Sequence, residues 1–357
     1  MVTVHDVARA AGVSISTVSR ALTAPERVAA ATRDRVTRAA AELGYRPNVA
    51  ASGLRMGRTH AVGLLVPDLE NPYFASVTKS VQARARAEGY EVFVADSDED
   101  PDVEPELIGA LAARTDGLIV ASPRSGEAEL SAALVGLTAV LASRELPEIA
   151  AFAGAAEGDG AAESGGSAEG AAGARGIPSV AVDDADGAAQ VLGHLHALGH
   201  RSVGVAAGPP SSWSGRRRLA GLVDAAARWD LDLVRLGTFQ PYFAGGTRAA
   251  DHAVASGVTA VVAFNDLMAL GILSRLRERG VDVPGRMSVV GFDDVQLATL
   301  VSPALTTVRA PLARLGRRAV DLLLARLRGG DPPAGVQLPV ELMIRGSSGP
   351  APAGPVS

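Results

Sequence analysis

From Ala61 onward, short aliphatic runs recur between segments of helical periodicity, and this alternation constrains the fold more tightly than any other feature of the chain. The runs Ala61–Val66, Glu91–Ala95, Gly117–Ala121, Ala139–Ala142, Ser179–Val182, Ser202–Ala206, Ala260–Phe264 and Ser288–Phe292 have the length of strands. Between them the spacing predicts helices that include Tyr73–Glu88, Gly187–Leu198, Arg216–Trp229 and Asp266–Arg279. Strand alternating with helix implies parallel sheets covered on both faces, with ligands at the C-terminal ends of the strands. The number of runs predicts two such sheets, hence two lobes.

Residues 1–60 follow a different rule. Three short helices fit residues 3–44. Thr3 can cap the first, Ser14 the second and Thr32 the third, with Gly12 as a tight turn and Gly44 as a C-terminal stop. A break at Tyr45-Arg46-Pro47-Asn48 precedes a short candidate helix, Val49–Leu54. This segment holds nine arginines against four acids, a charge of +5, so the −5 of the whole chain leaves −10 for the remainder. A basic head on an acidic body suits a polyanionic partner.

Several classes of protein fit poorly. No run approaches the ~18–20 apolar residues of a membrane helix. The N-terminus has Asp6 and no apolar core of a secretory signal, so the expected location is cytoplasmic. With no cysteine, disulfides, thiolate metal sites and cysteine catalysis are excluded. Neither GxGxxG at a strand-to-helix turn nor GxxxxGK[ST] is present, so no phosphate cradle marks an enzyme. His194, His196 and His200 lack the carboxylate or cysteine partners of a metal site, and no cofactor is expected. Residues 153–176 contain only Ala, Gly, Ser, Glu, Asp and Arg, too little apolar surface to offset ordering, and read as a flexible insert.

Residues 13–22, VSISTVSRAL, have the character of a recognition helix. Val13, Val18 and Leu22 can face a small core, leaving Ile15, Ser16, Ser19 and Arg20 toward a groove. Arginine can pair bidentately with guanine, and Ser and Thr bond bases or phosphates.

TVHDVARAAGVSISTVSRAL, followed by TRDRVTRAAAELGYRPNVAASGLRMGRT, resembles the head and hinge of the lactose-repressor (LacI/GalR) family. The similarity continues through VGLLVPDLENPYFASV, DGLIVAS, LGHRSVGVAAGP, SGRRRLAGL, FNDLMALGIL, SVVGFDD and SPALTTVRAPLARLGRRAV. It implies base reading by Ile15, Ser16 and Arg20. Thr3, Ser14, Thr17 and Ser19 would sit near phosphates or caps. It also implies a hinge helix in the minor groove, where Asn48, Ala51, Leu54 and Arg55 fall at DNA-contacting or pairing positions, Leu54 as the wedge that kinks the duplex. Gly53 inside that hinge costs roughly 0.8–1 kcal/mol relative to alanine, which suits a helix that forms only on DNA.

The remainder resembles a periplasmic binding protein with its ligand between two α/β lobes. The implied ligand residues are Tyr73, Phe74, Ser122, Ser143, Ser212, Ser214, Arg218, Phe239, Asn265 and Asp293, with Phe239 as the stacking ring of the second lobe. Ser143 stands where many relatives carry aspartate, which predicts a departure in ligand specificity. The expected organisation is an all-α helix-turn-helix head over 1–46, a hinge over 47–59, a two-lobed α/β domain over 60–345 and a disordered tail over 346–357. The expected activity is that of a homodimeric repressor on a pseudo-palindromic operator, released by a small polar effector, a sugar. Alternatives are a repressor that needs a nucleobase or nucleoside corepressor, and a solute-binding module with a non-functional head. The tail shows no leucine heptad for a tetramerising coiled coil.

Overall fold

The computed structural model describes residues 2–23, 25–45, 58–146 and 176–353. The predicted hinge residues Asn48, Ala51, Leu54 and Arg55 and residues 153–175 of the predicted insert lie outside these. The chain divides into two units after His60.

The first unit is helical: α1 (Val4–Ala11), α2 (Ile15–Thr23) and α3 (Ala30–Glu42), with a 3-10 turn at Pro25–Arg27. Gly12 adopts φ +63° between α1 and α2, a left-handed conformation costly for a residue with a Cβ. Val7, Ala8, Ala11, Val18, Ala21, Val36, Ala39 and Ala40 form the core. Asp6 accepts hydrogen bonds from the Thr3 N–H (3.0 Å) and hydroxyl (2.8 Å) at the start of α1. Ser14 accepts the Thr17 N–H at 3.2 Å, capping α2 as expected. Thr32 caps nothing, because α3 starts two residues earlier, after Ala29. Gly44, at φ +64°, follows the end of α3 as the sequence predicts.

The second unit contains two six-stranded sheets. The first holds β1 (Ala61–Val66), β2 (Glu91–Asp96), β3 (Gly117–Ala121), β4 (Ala139–Ala142), β5 (Ser179–Val182) and β11 (Gly335–Leu338), in the order β11-β5-β4-β3-β1-β2. The second holds β6 (Ser202–Ala207), β7 (Asp232–Thr238), β8 (Ala260–Ala263), β9 (Ser288–Asp293), β10 (Thr306–Arg309) and β12 (Glu341–Met343), ordered β12-β10-β9-β8-β6-β7. All pairs are parallel except β10–β12. The eight predicted strands are present to within a residue or two at their ends. β7, β10, β11 and β12 were absent from the sequence reading, being short or carrying polar and charged residues at an exposed edge.

Helices α4 (Pro72–Ala87), α5 (Glu104–Ala112), α6 (Glu127–Leu134) and α12 (Leu312–Leu327) belong to the first lobe. Those of the second are α7 (Asp184–Ala197), α8 (Trp213–Trp229), α9 (Phe243–Ser256), α10 (Asp266–Glu278) and the short α11 (Leu297–Leu300). α7 begins three residues before the predicted start because the Asp183 carboxylate accepts the Asp186 N–H at 3.0 Å. Gly246 of α9 and Gly271 of α10 allow these helices to touch backbone to backbone; a Cβ at either would collide with a carbonyl of the other helix. The chain passes between lobes three times, after β5, after β10 and between β11 and β12.

The tail is not disordered over its described part. Ser347 is fully buried, with its N–H on Ala304 O, its carbonyl accepting Val289 N–H and its hydroxyl bonded to Val289 O and Thr306 N. Ala351 donates to Leu198 O. His200, also fully buried, lies within hydrogen-bond distance of Thr259 Oγ1, Ser288 Oγ and Gly349 O. Small residues let this segment lie flat on the second lobe, where backbone bonding replaces the missing apolar side chains.

Candidate ligand cleft and DNA-reading head

In the second unit the strand ends converge on one buried cation. Arg218, on α8, is 8% exposed. Its Nε donates to Asp184 Oδ1 at 2.7 Å, one terminal nitrogen to Phe264 O at 2.7 Å, and the other to Asp293 Oδ1 at 3.3 Å. Its guanidinium carbon also lies 4.6 Å from the Phe292 ring centre and 5.6 Å from that of Phe264. Burial alone would lower its pKa, but Asp184 and Asp293 outweigh that and hold it above the ordinary arginine value. Burial pushes the Asp184 carboxyl up against the opposing pull of Arg218. Asp293 is pushed up to about 7 by burial, Arg218 opposing and Asp184 adding to the rise. Asp184 Oδ2 is buried with no hydrogen-bond partner among the described residues. One arginine therefore serves two carboxylates, and a ligand hydroxyl could supply the missing donor.

The backbone at these strand ends is strained. Among the described residues, eight other than glycine have positive φ, and six of them follow or end β2, β3, β4 or β9: Asp98, Glu99, Ser122, Ser143, Asp293 and Asp294. Such conformations concentrate at binding sites, where the surrounding structure must hold them.

Tyr73, Phe74, Ser122, Ser212, Ser214, Arg218, Asn265 and Asp293 line one cavity together. Tyr73 and Phe74 also pack edge-to-face, 4.9 Å between centres, into the first-lobe core. The Tyr73 hydroxyl lies 2.9 Å from Ser143 Oγ, and the Ser143 carbonyl accepts the Ser214 hydroxyl of the other lobe at 3.4 Å. Two predicted ligand residues already have other duties. Ser212 accepts the Gly215 N–H to cap α8, and Asn265 accepts the Met268 N–H and donates to Pro241 O.

Phe239 departs from its expected place. It lines an adjoining outer chamber, not the Arg218 cavity, and meets His252 edge-to-face at 5.4 Å. Phe264 is the second-lobe ring that lines the cavity instead. Sequence reasoning also missed Asp184, Arg124 and Glu99. Arg124 grips Glu99 through Nε (2.5 Å) and a terminal nitrogen (2.8 Å). The acidic residue opening a helix directly after β5 was the available signal for Asp184; the Arg124–Glu99 pair joins separate loops and left none. The cavity measures about 30 Å3, room for one water molecule.

In the head, Ser16 and Arg20 are exposed on α2, while Ser19 and Thr17 are half-buried. Ser14 Oγ lies 2.8 Å from both Ser16 Oγ and Thr17 Oγ1, a hydroxyl cluster at the start of α2. Ile15 is half-buried against the core, yet it lines a surface groove with His5, Arg9 and Ser14, of which His5 and Arg9 were not singled out from sequence.

A small helical head with polar side chains along its second helix, on a chain whose body is a two-lobed binding domain, defines a ligand-responsive transcriptional regulator. Residues 3–48 match the model for bacterial regulatory proteins of the lacI family, and residues 192–348 match a periplasmic binding protein-like domain. The chain is 31% identical over 356 residues to the HTH-type transcriptional repressor CytR of Escherichia coli (strain K12), covering 97% of this chain and 96% of that repressor. The lac repressor dimer bound to operator and the anti-inducer ONPF superposes with a TM-score of 0.82 at 28% identity, covering 98% of this chain and 99% of that one. The transcriptional regulator CelR in complex with cellobiose gives 0.68 at 28% identity, with 97% and 100% coverage. The chain belongs to the LacI family of transcriptional regulators.

Proposed function

We propose that this regulator is a homodimeric repressor that binds a pseudo-palindromic operator and releases it when a small polar effector, a sugar, occupies the interlobe cleft. The single observation that carries the effector reading is the buried Arg218 between Asp184 and Asp293. A fixed guanidinium flanked by carboxylates offers donors and acceptors together, which is how a polyol is held. CelR in its complex with cellobiose and the lac repressor dimer on operator support the effector class and the assembly. Two heads at fixed separation would read two half-sites.

Within the head, Arg20 and Ser16 would meet base edges, their exposure on α2 supporting that reading, and Ser14 and Thr17 would lie near phosphates. Within the cleft, Tyr73 and Phe264 would cover the apolar face of the sugar. A cavity of about 30 Å3 is too small for a sugar, so ligand entry would be coupled to lobe movement on the scale of ~1–3 kcal/mol. Footprinting on DNA flanking the protein's own gene, repeated with a panel of sugars and nucleosides, tests the whole reading. A protected palindrome lost on adding one sugar is the expected result. Protection that appears only with a nucleoside would replace induction by corepression.

A further inference from the structure

Arg218 has a counterpart in the first lobe. Arg124 is 5% exposed and, with Glu99, lines the same cavity that Arg218 and Asp293 line from the second lobe. Its Nε and one terminal nitrogen both donate to the Glu99 carboxylate, at 2.5 and 2.8 Å, and the other terminal nitrogen donates to Ser122 O at 2.7 Å. The loop beneath is fixed by Glu104, buried at the start of α5. Its carboxylate accepts the Arg124 backbone N–H at 2.7 Å, and the Ser125 N–H and hydroxyl at 2.8 and 2.5 Å. Glu99 and Ser122 have φ of +59° and +51°, so the pair stands on two strained turns that this bonding holds in place.

Folding alone does not account for this bonding. Taking two charges out of water costs much of what their attraction returns, so a buried ion pair is weak evidence of a stabilising role. The pair is also unfinished. A guanidinium carries five N–H groups, and the three bonds above leave two of those on Arg124 without a partner among the described residues. Each Glu99 oxygen takes one of these bonds and keeps a lone pair. Donor and acceptor therefore stand side by side at the cavity wall. That pattern fits adjacent hydroxyls, one accepting from the guanidinium while its neighbour donates to the carboxylate. An anionic ligand group would meet the Glu99 charge, and an apolar one would leave both partners unsatisfied.

We propose that Arg124 and Glu99 are specificity-determining residues of the effector site, receiving two adjacent hydroxyls of the sugar that Arg218 and Asp293 hold from the second lobe. This deepens the sugar reading above and rests on it. The effector then spans two arginine–carboxylate pairs, one from each lobe. A sugar without that vicinal pair keeps its grip on the second lobe and loses it on the first.

Calorimetric titration of the full chain with D-glucose, D-galactose, D-ribose and D-xylose, each beside its monodeoxy analogues, tests this. At least one parent sugar should bind, and loss of either hydroxyl of one adjacent pair should weaken it about tenfold or more. Arg124→Met should weaken the parent about tenfold or more, and Glu99→Gln about fivefold. In both variants the parent's advantage over those deoxy analogues should shrink toward one. Glu99→Gln keeps the shape and an acceptor for Arg124, so it reports even where Arg124→Met fails to fold. Parent binding unchanged in the variants would overturn the proposal and leave the cleft reading standing. So would parent and analogues weakened alike, the mark of a purely structural pair. Failure of every sugar to bind would remove the assignment together with the sugar reading beneath it.

Discussion

The Tyr73 hydroxyl and Ser143 Oγ lie 2.9 Å apart, both side chains buried. The Ser143 carbonyl in turn accepts a hydrogen bond from the Ser214 hydroxyl of the opposite lobe. Tyr73→Phe should cost about 1 kcal/mol in urea denaturation, the net worth of one buried hydrogen bond. Ser143→Asp should cost more in the ligand-free protein, because the new carboxylate would be buried near Asp184 and Asp293, which already share Arg218. Both are checked by equilibrium unfolding; a Ser143→Asp chain as stable as the wild type would show that the site is wetter than its burial indicates.

Arg218→Met should destabilise the protein by about 3–5 kcal/mol, since it strands two buried carboxylates. Adding Asp184→Asn should recover part of that loss, a coupling that a double-mutant cycle by urea denaturation measures directly. Additive losses would mean that Arg218 and Asp184 do not depend on one another.

The raised pKa of Asp293, about 7 against roughly 3.9 in an unfolded chain, gives a signed pH dependence. Between these values the folded state holds a proton that the unfolded state has lost. This contribution to stability is therefore present in full below about pH 4 and is lost as pH rises through 7. The slope attributable to this group is about −1.4 kcal/mol per pH unit. Comparing wild type with Asp293→Asn from pH 5 to 8 isolates it, and the variant should gain relative stability toward high pH.

His200 works in the opposite sense. Burial lowers its pKa, so the stability it carries is present above about 6.5 and lost as pH falls below that value. The segment it helps to hold should matter in its own right. Ending the chain after Arg345 removes Ser347 and its bonds to Val289, Ala304 and Thr306, and should lower stability by about 2–4 kcal/mol. Thermal unfolding followed by circular dichroism reads the change; an unaltered midpoint would refute any packing role for residues 346–353.

For the head, Arg20→Ala should weaken specific operator binding by about 1–3 kcal/mol while leaving affinity for random competitor DNA nearly intact. Competition binding at two salt concentrations separates these, because loss of a phosphate contact would instead weaken both alike.

The architecture was legible because strands and helices of the two lobes alternate with clear apolar runs. The strands that escaped notice, such as Glu341–Met343 at an exposed edge, have too little burial to impose a pattern. Arg218, Asp293 and Tyr73 were legible because each sits in a recognisable segment next to a strand end. Asp184 and Phe264 were missed because their importance arises only when α7, α8 and β8 come together around one guanidinium. Phe239 was misplaced for the converse reason: an aromatic residue after a strand says nothing about which way its loop will turn. The tail misled through composition, since Ser347 is held by backbone and hydroxyl bonds that no hydrophobic pattern announces.

Because the polypeptide crosses from one lobe to the other three times, no single cut frees either half. Proteolysis at one exposed loop should leave a nicked molecule that still sediments as one body. The three parallel connections also act as pins on a common axis: they yield to bending but oppose twist and sliding. Whatever enters or leaves between the halves can thus move them along essentially one path.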